Sequence, residues 1–316
     1  MKKIYLYASI RRLNKFINKP SSLKYGENMV SIEQRLLIPG VFKFLKILTG
    51  SYLPCKKRKY YFSIVAIVKN EGEYLKEWFN YYLSLGVDHF FIYDNGSSDK
   101  TQNVIREYKN CITYKKYDGY AKQMDAYNDA LNNFGKLTKY MGFLDIDEFI
   151  VVKNGKGLKE IFDKFFSLPH VGGIVINWQI FGSSHYKKKP QGLVTNNFVY
   201  RARKDFYTNR HIKSIVDPRK TIGFINEPHS VCFLPGFWAI NEKKNRVDGP
   251  LANEVCTEII QLNHYFTKSK EEFIKKRQRG QATVEKPRTL MDFTFHDKND
   301  LFDDTLRSYN KLHNLK

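Results

Sequence analysis

The sequence predicts an α/β fold built on a parallel sheet, and three observations carry that prediction. From residue 60 onward, short apolar runs rich in β-branched and aromatic residues alternate with segments whose apolar residues recur at helical spacing. The runs are continuous, as expected of strands covered on both faces. Each of three runs also ends in polar or acidic residues: Lys69-Asn70-Glu71, Asp94-Asn95 and Asp145 to Glu148. In parallel α/β sheets ligands sit outside the carboxyl ends of the strands, so these polar clusters mark the face to inspect.

The elements follow in order. YFSIVAIV (61–68) reads as the first strand. A helix follows, with Tyr74, Leu75, Trp78, Phe79, Tyr82 and Leu85 on one stripe, Asn70 as its cap and Gly86 as its stop. VDHFFIYD (87–94) is the second strand, and NGSSDKT turns into a helix that buries Val104, Ile105 and Tyr108, with Ser97 or Ser98 able to cap it. CITYKK (111–116) is the third strand. Tyr120, Met124, Tyr127, Leu131 and Phe134 stripe the next helix, closed by Gly135. YMGFLDIDEFIVV then reads as one fourth strand.

Beyond residue 157 the pattern loosens. A helix over 158–168 leads into GGIVINWQIFGSS, a lysine-rich stretch (183–197) and short strands such as NFVYRAR and HIKSIV. EIIQLNHYF (258–266) is a further strand. In SKEEFIKKRQRG, Ser269 and Glu272 have capping-box spacing, and Gly280 suits a helix stop.

Composition bounds the function. Aromatic content of 15% and hydrophobic content of 42% describe a packed globular chain. The four cysteines are far apart, with no CxxC pair, which argues against a zinc site and for a reducing compartment. Of the net charge of +21, residues 1–60 supply +12, from fourteen Lys or Arg against two Glu. Leu6, Ile10, Leu13 and Ile17 share one helical face in this segment, which suggests an amphipathic surface contact with anionic lipid.

FLDIDEFIV (143–151) poses the chemical question. A buried carboxylate is costly unless a cation or several hydrogen bonds compensate it. If the segment is one strand, Asp145 and Asp147 project to the same face. Paired oxygen ligands of this kind suit a hard divalent cation.

Taken together, IVKNEGEYLKEWFNYYLSLGVDHFFIYDNGSSDKT, FLDIDEF, NWQIFGSS and NHYFTKSKEEFIKKRQRG resemble glycosyltransferases of the GT-A fold, in the family 2-like group allied to family 92. The likeness runs over roughly residues 60–310. It implies a Rossmann-like nucleotide-diphospho-sugar transferase fold with a mostly parallel central sheet. Residues 59–316 would form one domain, with a nucleotide-sugar half (59–156) and an acceptor half (157–316), preceded by a basic extension (1–58).

The resemblance also implies roles. Asp147, Asp145 and His264 would hold Mn2+ or Mg2+, with Glu148 behind them or acting as a base. Lys69, Asn70, Glu71, Asp94, Asn95, Asp99, Gln123, Asp145, Trp178, Lys268 and Arg277 (or Arg279) would bind the nucleotide-sugar, UDP-linked by family habit. Trp178 would stack on the sugar or acceptor. Glu227, Asp248 and His229 are candidates for the base that takes the acceptor proton. The acceptor would be a glycan or lipid-linked glycan, in the synthesis of lipopolysaccharide, capsule or a related surface glycan. The expected location is cytoplasmic, on the inner face of a bacterial membrane.

The rival readings are a metal-dependent nucleotidyltransferase and a nucleic-acid-binding protein. The second is disfavoured because the basic excess precedes the α/β unit and no nucleic-acid-binding signature is present. A DxD-type phosphatase would carry its nucleophilic Asp after the first strand with a small residue following, and here the motif is on the fourth strand and continues EF.

Overall fold

The computed structural model describes residues 58–153, 155–225, 227–234, 236–278 and 288–315. The membrane expectation for residues 1–58 and the stop at Gly280 fall essentially outside them.

The first half follows the sequence closely. Strands β1 (Tyr60–Val68), β2 (His89–Asp94), β3 (Ile112–Lys116) and β4 (Thr138–Phe143) are parallel, in the order β3-β2-β1-β4. Helices α1 (Leu75–Ser84), α2 (Thr101–Glu107) and α3 (Gln123–Phe134) connect them. Leu75, Trp78, Phe79 and Tyr82 of the predicted stripe are buried in α1, joined by Tyr81. Burial of each such side chain is worth about 1.5–3 kcal/mol. Gly86 ends the helix with φ of 84°, where a Cβ would be strained.

Three local expectations are corrected. Asn70 does not cap α1; it has φ of 53° and bonds across to the next loop. Neither Ser97 nor Ser98 caps α2, whose Thr101 N–H is taken instead by Asp99. Tyr120 is not part of α3. It is exposed, because left-handed Gly119 and Ala121 turn the chain before the helix begins at Gln123.

The second half extends the same sheet but changes its direction. Its elements are β5 (Glu148–Val152), α4 (Leu158–Phe166), β6 (Val171–Ile180), α5 (Val194–Asn197), β7 (Tyr200–Arg201), β8 (Ile212–Val216), β9 (Thr221–Gly223) and β10 (Cys232–Phe233). β11 (Trp238–Ile240), β12 (Arg246–Val247), β13 (Ile260–His264), α6 (Lys270–Gln278), α7 (Leu290–His296), β14 (Leu301–Phe302) and α8 (Thr305–Leu312) complete the chain. β8 lies antiparallel between β4 and β6, and the order continues β8-β6-β11-β12. β13 runs parallel to the end of β6 and antiparallel to β5.

The acidic segment is therefore not one strand. β4 ends at Phe143, flanked by β1 and β8, whereas β5 begins at Glu148 and pairs with β13. A change of partner forces a bend, and the bend is residues 144–147. The other edge of β5 is covered by α1: Trp78 Nε1 and the Tyr82 hydroxyl donate to the Glu148 carbonyl at 3.1 and 3.0 Å, and the Tyr81 hydroxyl to that of Ile150. The predicted helical stripe thus both fills the core and satisfies a strand edge.

Candidate active site

The carboxyl ends of β1, β2 and β3 are tied into one rim. Asn70 Oδ1 accepts from the Ser98 N–H at 2.8 Å, and the Asn70 N–H donates to Ser97 Oγ at 2.9 Å. Asp99 accepts from the N–H groups of Gly72 and Thr101. Gly72 is needed here, since a Cβ would lie 2.6 Å from the Thr101 nitrogen. Asn95 donates to the carbonyls of Tyr117 and Gly119, holding the loop after β3. Asp94 is fully buried and accepts from Ser97 N–H, Gln102 and the Tyr114 hydroxyl.

The acid turn is built differently. The Asp145 N–H donates to Glu148 Oε2 at 2.8 Å while the Glu148 N–H donates to the Asp145 carbonyl at 3.1 Å, so the two residues close the turn on each other. Asp145 Oδ1 accepts from Gln123 Nε2 at 2.9 Å, and Oδ2 from Lys213 Nζ at 2.8 Å. Lys213, on β8, is fully buried and also lies 3.5 Å from Glu148. Trp178 Nε1 donates to Glu148 Oε1 at 2.8 Å. Asp147 Oδ2 accepts from Lys276 on α6, and Asp147 Oδ1 lies 3.6 Å from His264 Nε2, outside hydrogen-bond range. The Asp145 side chain is 32% exposed and that of Asp147 only 11%, so Asp145 is the more open to a ligand.

The electrostatics follow from burial and pairing. Burial raises Glu148 to about 8 in spite of Lys213. Burial would also raise Asp145 and Asp147, but the Lys213 ammonium holds Asp145 below the ordinary carboxylate range. Lys276 and His264 hold Asp147 well below it. Burial lowers Lys276 to about 8 and lowers His264, whereas the two carboxylates hold Lys213 well above its usual value.

A sequence profile of glycosyltransferase family 92 matches residues 62–289, which take in the rim, the acid turn and α6. The chain belongs to glycosyltransferase family 92. A family 92 protein of Ricinus communis is 29% identical over 225 residues, covering 70% of this chain and 38% of its own length. One of Arabidopsis thaliana is 27% identical over 183 residues, covering 54% and 31%. The chain thus spans about a third of the length of these plant relatives. Among solved structures it partly overlaps Staphylococcus aureus TarS 1–349 (18% identity, TM-score 0.34, 50% of this chain and 47% of that one). It also overlaps glucosyl-3-phosphoglycerate synthase of Mycobacterium tuberculosis in complex with Mn2+ and UDP-glucose (14% identity, TM-score 0.29, 38% and 44%). The fold of this family 92 chain is α/β, with four parallel strands at the core of a larger mixed sheet and the acid turn after the fourth strand.

The family motif implies a divalent cation, and the residues can be tested against it. Both oxygens of Asp145 and Oδ2 of Asp147 already accept from a donor, and Asp147 Oδ1 faces His264 Nε2 at 3.6 Å. A histidine that ligates a metal donates its other ring N–H to an acceptor, but His264 Nδ1 is buried with no hydrogen-bond partner. Among the described residues no three His, Cys, Asp or Glu side chains converge to hold a metal ion. As arranged, Asp145, Asp147 and His264 do not form the predicted metal site; two ammonium groups occupy its surroundings.

The other predicted residues divide by position. Gln123 does lie at the acid turn, bonded to Asp145. Lys69, Asn70, Glu71, Asp94, Asn95 and Asp99 all lie at or beside the rim, where Asn70, Asp94, Asn95 and Asp99 are engaged in holding loops. Lys268 is buried, with φ of 49° and its ammonium 4.2 Å from the Tyr74 ring centroid. Arg277 is exposed, because on α6 the buried face is Glu272, Phe273 and Lys276.

Trp178 is 8% exposed, with His211, His229 and His264 against it at ring-centroid distances of 4.9, 5.1 and 4.3 Å. It braces the turn, and its faces are not open to stack on a sugar. Asp248 is exposed beyond the edge strand β12 and paired with Arg246, which separates it from the acid turn. Glu227 accepts from the N–H groups of His229 and Ser230 in its own loop.

Two site residues were missed by sequence reasoning. Lys213 stands in HIKSIV, a charged residue within a short apolar strand, and the argument applied to FLDIDEF would have found it. Lys276 shares its helix with Lys270, Lys275 and Arg277; its only signal is its position three residues after buried Phe273.

Proposed function

We propose that the protein transfers a sugar from a nucleotide-sugar, UDP-linked, to a hydroxyl of a glycan acceptor, with the acid turn and its lysines facing the donor diphosphate. The observation that carries this reading is the coincidence of the family 92 match with an acid turn at the carboxyl end of the parallel sheet, beside the rim of β1 and β2. In an inverting transfer the acceptor oxygen attacks the anomeric carbon as the bond to the diphosphate breaks. Negative charge grows on the leaving phosphate, and fixed cations near it lower the barrier. Lys276 and Lys268 are the buried cations on the α6 side of the turn that can meet that charge.

The acceptor proton must go to a base. Of the three candidates, Glu227 and His229 lie in one loop, with His229 packed on Trp178, and Asp248 stands apart. His229 Nδ1 donates to the Ile212 carbonyl at 3.1 Å, which leaves Nε2 as its proton-accepting nitrogen. Burial, with Lys213 adding to it, lowers His229 to about 3, so it is neutral at working pH but weakly basic. Burial raises Glu227, which makes it the stronger proton acceptor of the pair.

The test is thermal stabilisation by UDP, GDP, CMP and dTDP, each with and without Mn2+, on wild type and Asp147→Asn. A ligand at a hundred times its dissociation constant adds about 2.7 kcal/mol. Stabilisation by one nucleotide, lost or much reduced in Asp147→Asn, is expected. If no nucleotide raises Tm, the transferase reading is wrong for this chain.

A further inference from the structure

We infer that Lys276 is the resident cation of the acid turn: its ammonium stands at Asp147 where the motif implies a divalent ion, and it keeps Mn2+ and Mg2+ out while no nucleotide is bound. The inference takes the role of the motif from the reading above, but its test involves no nucleotide.

The ammonium sits in a built site. It donates to Asp147 Oδ2 and to the Phe266 carbonyl at 3.0 Å, and lies 4.5 Å from the centroid of the Phe266 ring. Two oxygens and an aromatic face are a favourable cage for an alkylammonium. The helix that presents it is fixed at both levels of structure. Ser269 and Glu272 form the predicted capping box: the Glu272 N–H donates to the Ser269 hydroxyl at 3.3 Å, and the Ser269 N–H donates to Glu272 Oε2 at 3.1 Å. The Tyr74 hydroxyl, from the first half of the chain, donates to the other oxygen of Glu272 at 2.9 Å. Lys276 is thus placed by α6 and is not a surface side chain that happens to reach an acid.

Charge gives this placement its consequence. Lys213 compensates Asp145, and Lys276 compensates Asp147, so the turn offers a divalent ion little net negative charge. Such an ion must either displace an ammonium or lie against one in a region of low dielectric constant, where repulsion between like charges is strong. A polyanion changes that balance, because phosphate oxygens can take over the lysine.

Mn2+ titration of the nucleotide-free full chain, followed by the electron paramagnetic resonance signal of free Mn2+, tests this. Wild type and Lys276→Arg should bind Mn2+ weakly. Lys276→Met should bind it at least about tenfold more tightly, because Asp147 is left without its cation. Adding Asp147→Asn to Lys276→Met should abolish the gain. Circular dichroism melts check folding, and Lys276→Gln, which keeps an N–H donor but drops the charge, replaces the Met variant if that one does not fold. Equal Mn2+ affinity in wild type and the uncharged variant, whether tight or absent, overturns the inference. Failure of nucleotides to stabilise wild type would defeat the functional reading and leave this comparison intact.

Discussion

The rim around β1 and β2 and the turn after β4 both hold carboxylates at strand ends, but they hold them by different means. In the rim, Asp94 and Asp99 are satisfied by neutral donors: backbone N–H groups, a tyrosine hydroxyl and an amide, none more than 27 residues away. In the turn, Asp145 and Asp147 are met by ammonium groups 68 and 129 residues distant. Neutral donors fix a loop in one geometry and leave nothing to exchange. An ammonium can be traded for another cation or turned to another anion. The rim is therefore scaffolding, and the turn is where charge can change hands.

The comparison can be broken most severely at Lys213. Lys213→Met strands Asp145 and Glu148 in a buried setting, and removing one member of a buried ion pair costs about 3–5 kcal/mol. Urea denaturation should show that loss, and adding Asp145→Asn should recover part of it. A cost below about 1 kcal/mol would mean that the turn is as self-sufficient as the rim.

The next largest effect is acid lability. His229 is held neutral, lowered to about 3 by burial with Lys213 adding to it, and burial lowers His89 and His296 to about 4. The unfolded chain takes up protons on these rings as pH falls below about 6.5, before the folded chain does, so stability is present above that value and is lost on acidification. For His229 alone the loss by pH 4 is about 3 kcal/mol, and His229→Gln should flatten the stability profile between pH 6.5 and 4.

Within the rim the expected effect is smaller. Asp94→Ala leaves the Ser97 N–H, Gln102 and the Tyr114 hydroxyl without their acceptor, at a cost of about 1–3 kcal/mol by urea denaturation. Because its partners are neutral, the cost should be the same at low and high salt. A strong salt dependence would erase the distinction between the two regions. Smallest of all, Asp248→Ala and Arg277→Ala should shift Tm by no more than about 1 °C, since both side chains are exposed and lie away from the carboxylates.

Much of the scaffold was legible in the sequence. The β1–β4 strands, the α1 stripe, the stop at Gly86 and the capping box of Ser269 and Glu272 are each set by local period and local hydrogen bonds, which neighbouring residues encode. The position of the acid motif at the end of the parallel sheet was legible for the same reason. Tertiary structure alone decided that the motif is a turn, because the bend arises from β4 pairing with β1 and β8 while β5 pairs with β13. It alone decided that Trp178 braces that turn among three histidines. It alone chose Lys276 over Lys275 and Arg277 as the partner of Asp147, since lysines and arginines in one helix look alike until packing assigns a buried face. Local chemistry wrote the frame of this protein, and the cations that meet its carboxylates come from parts of the chain that only folding brings near.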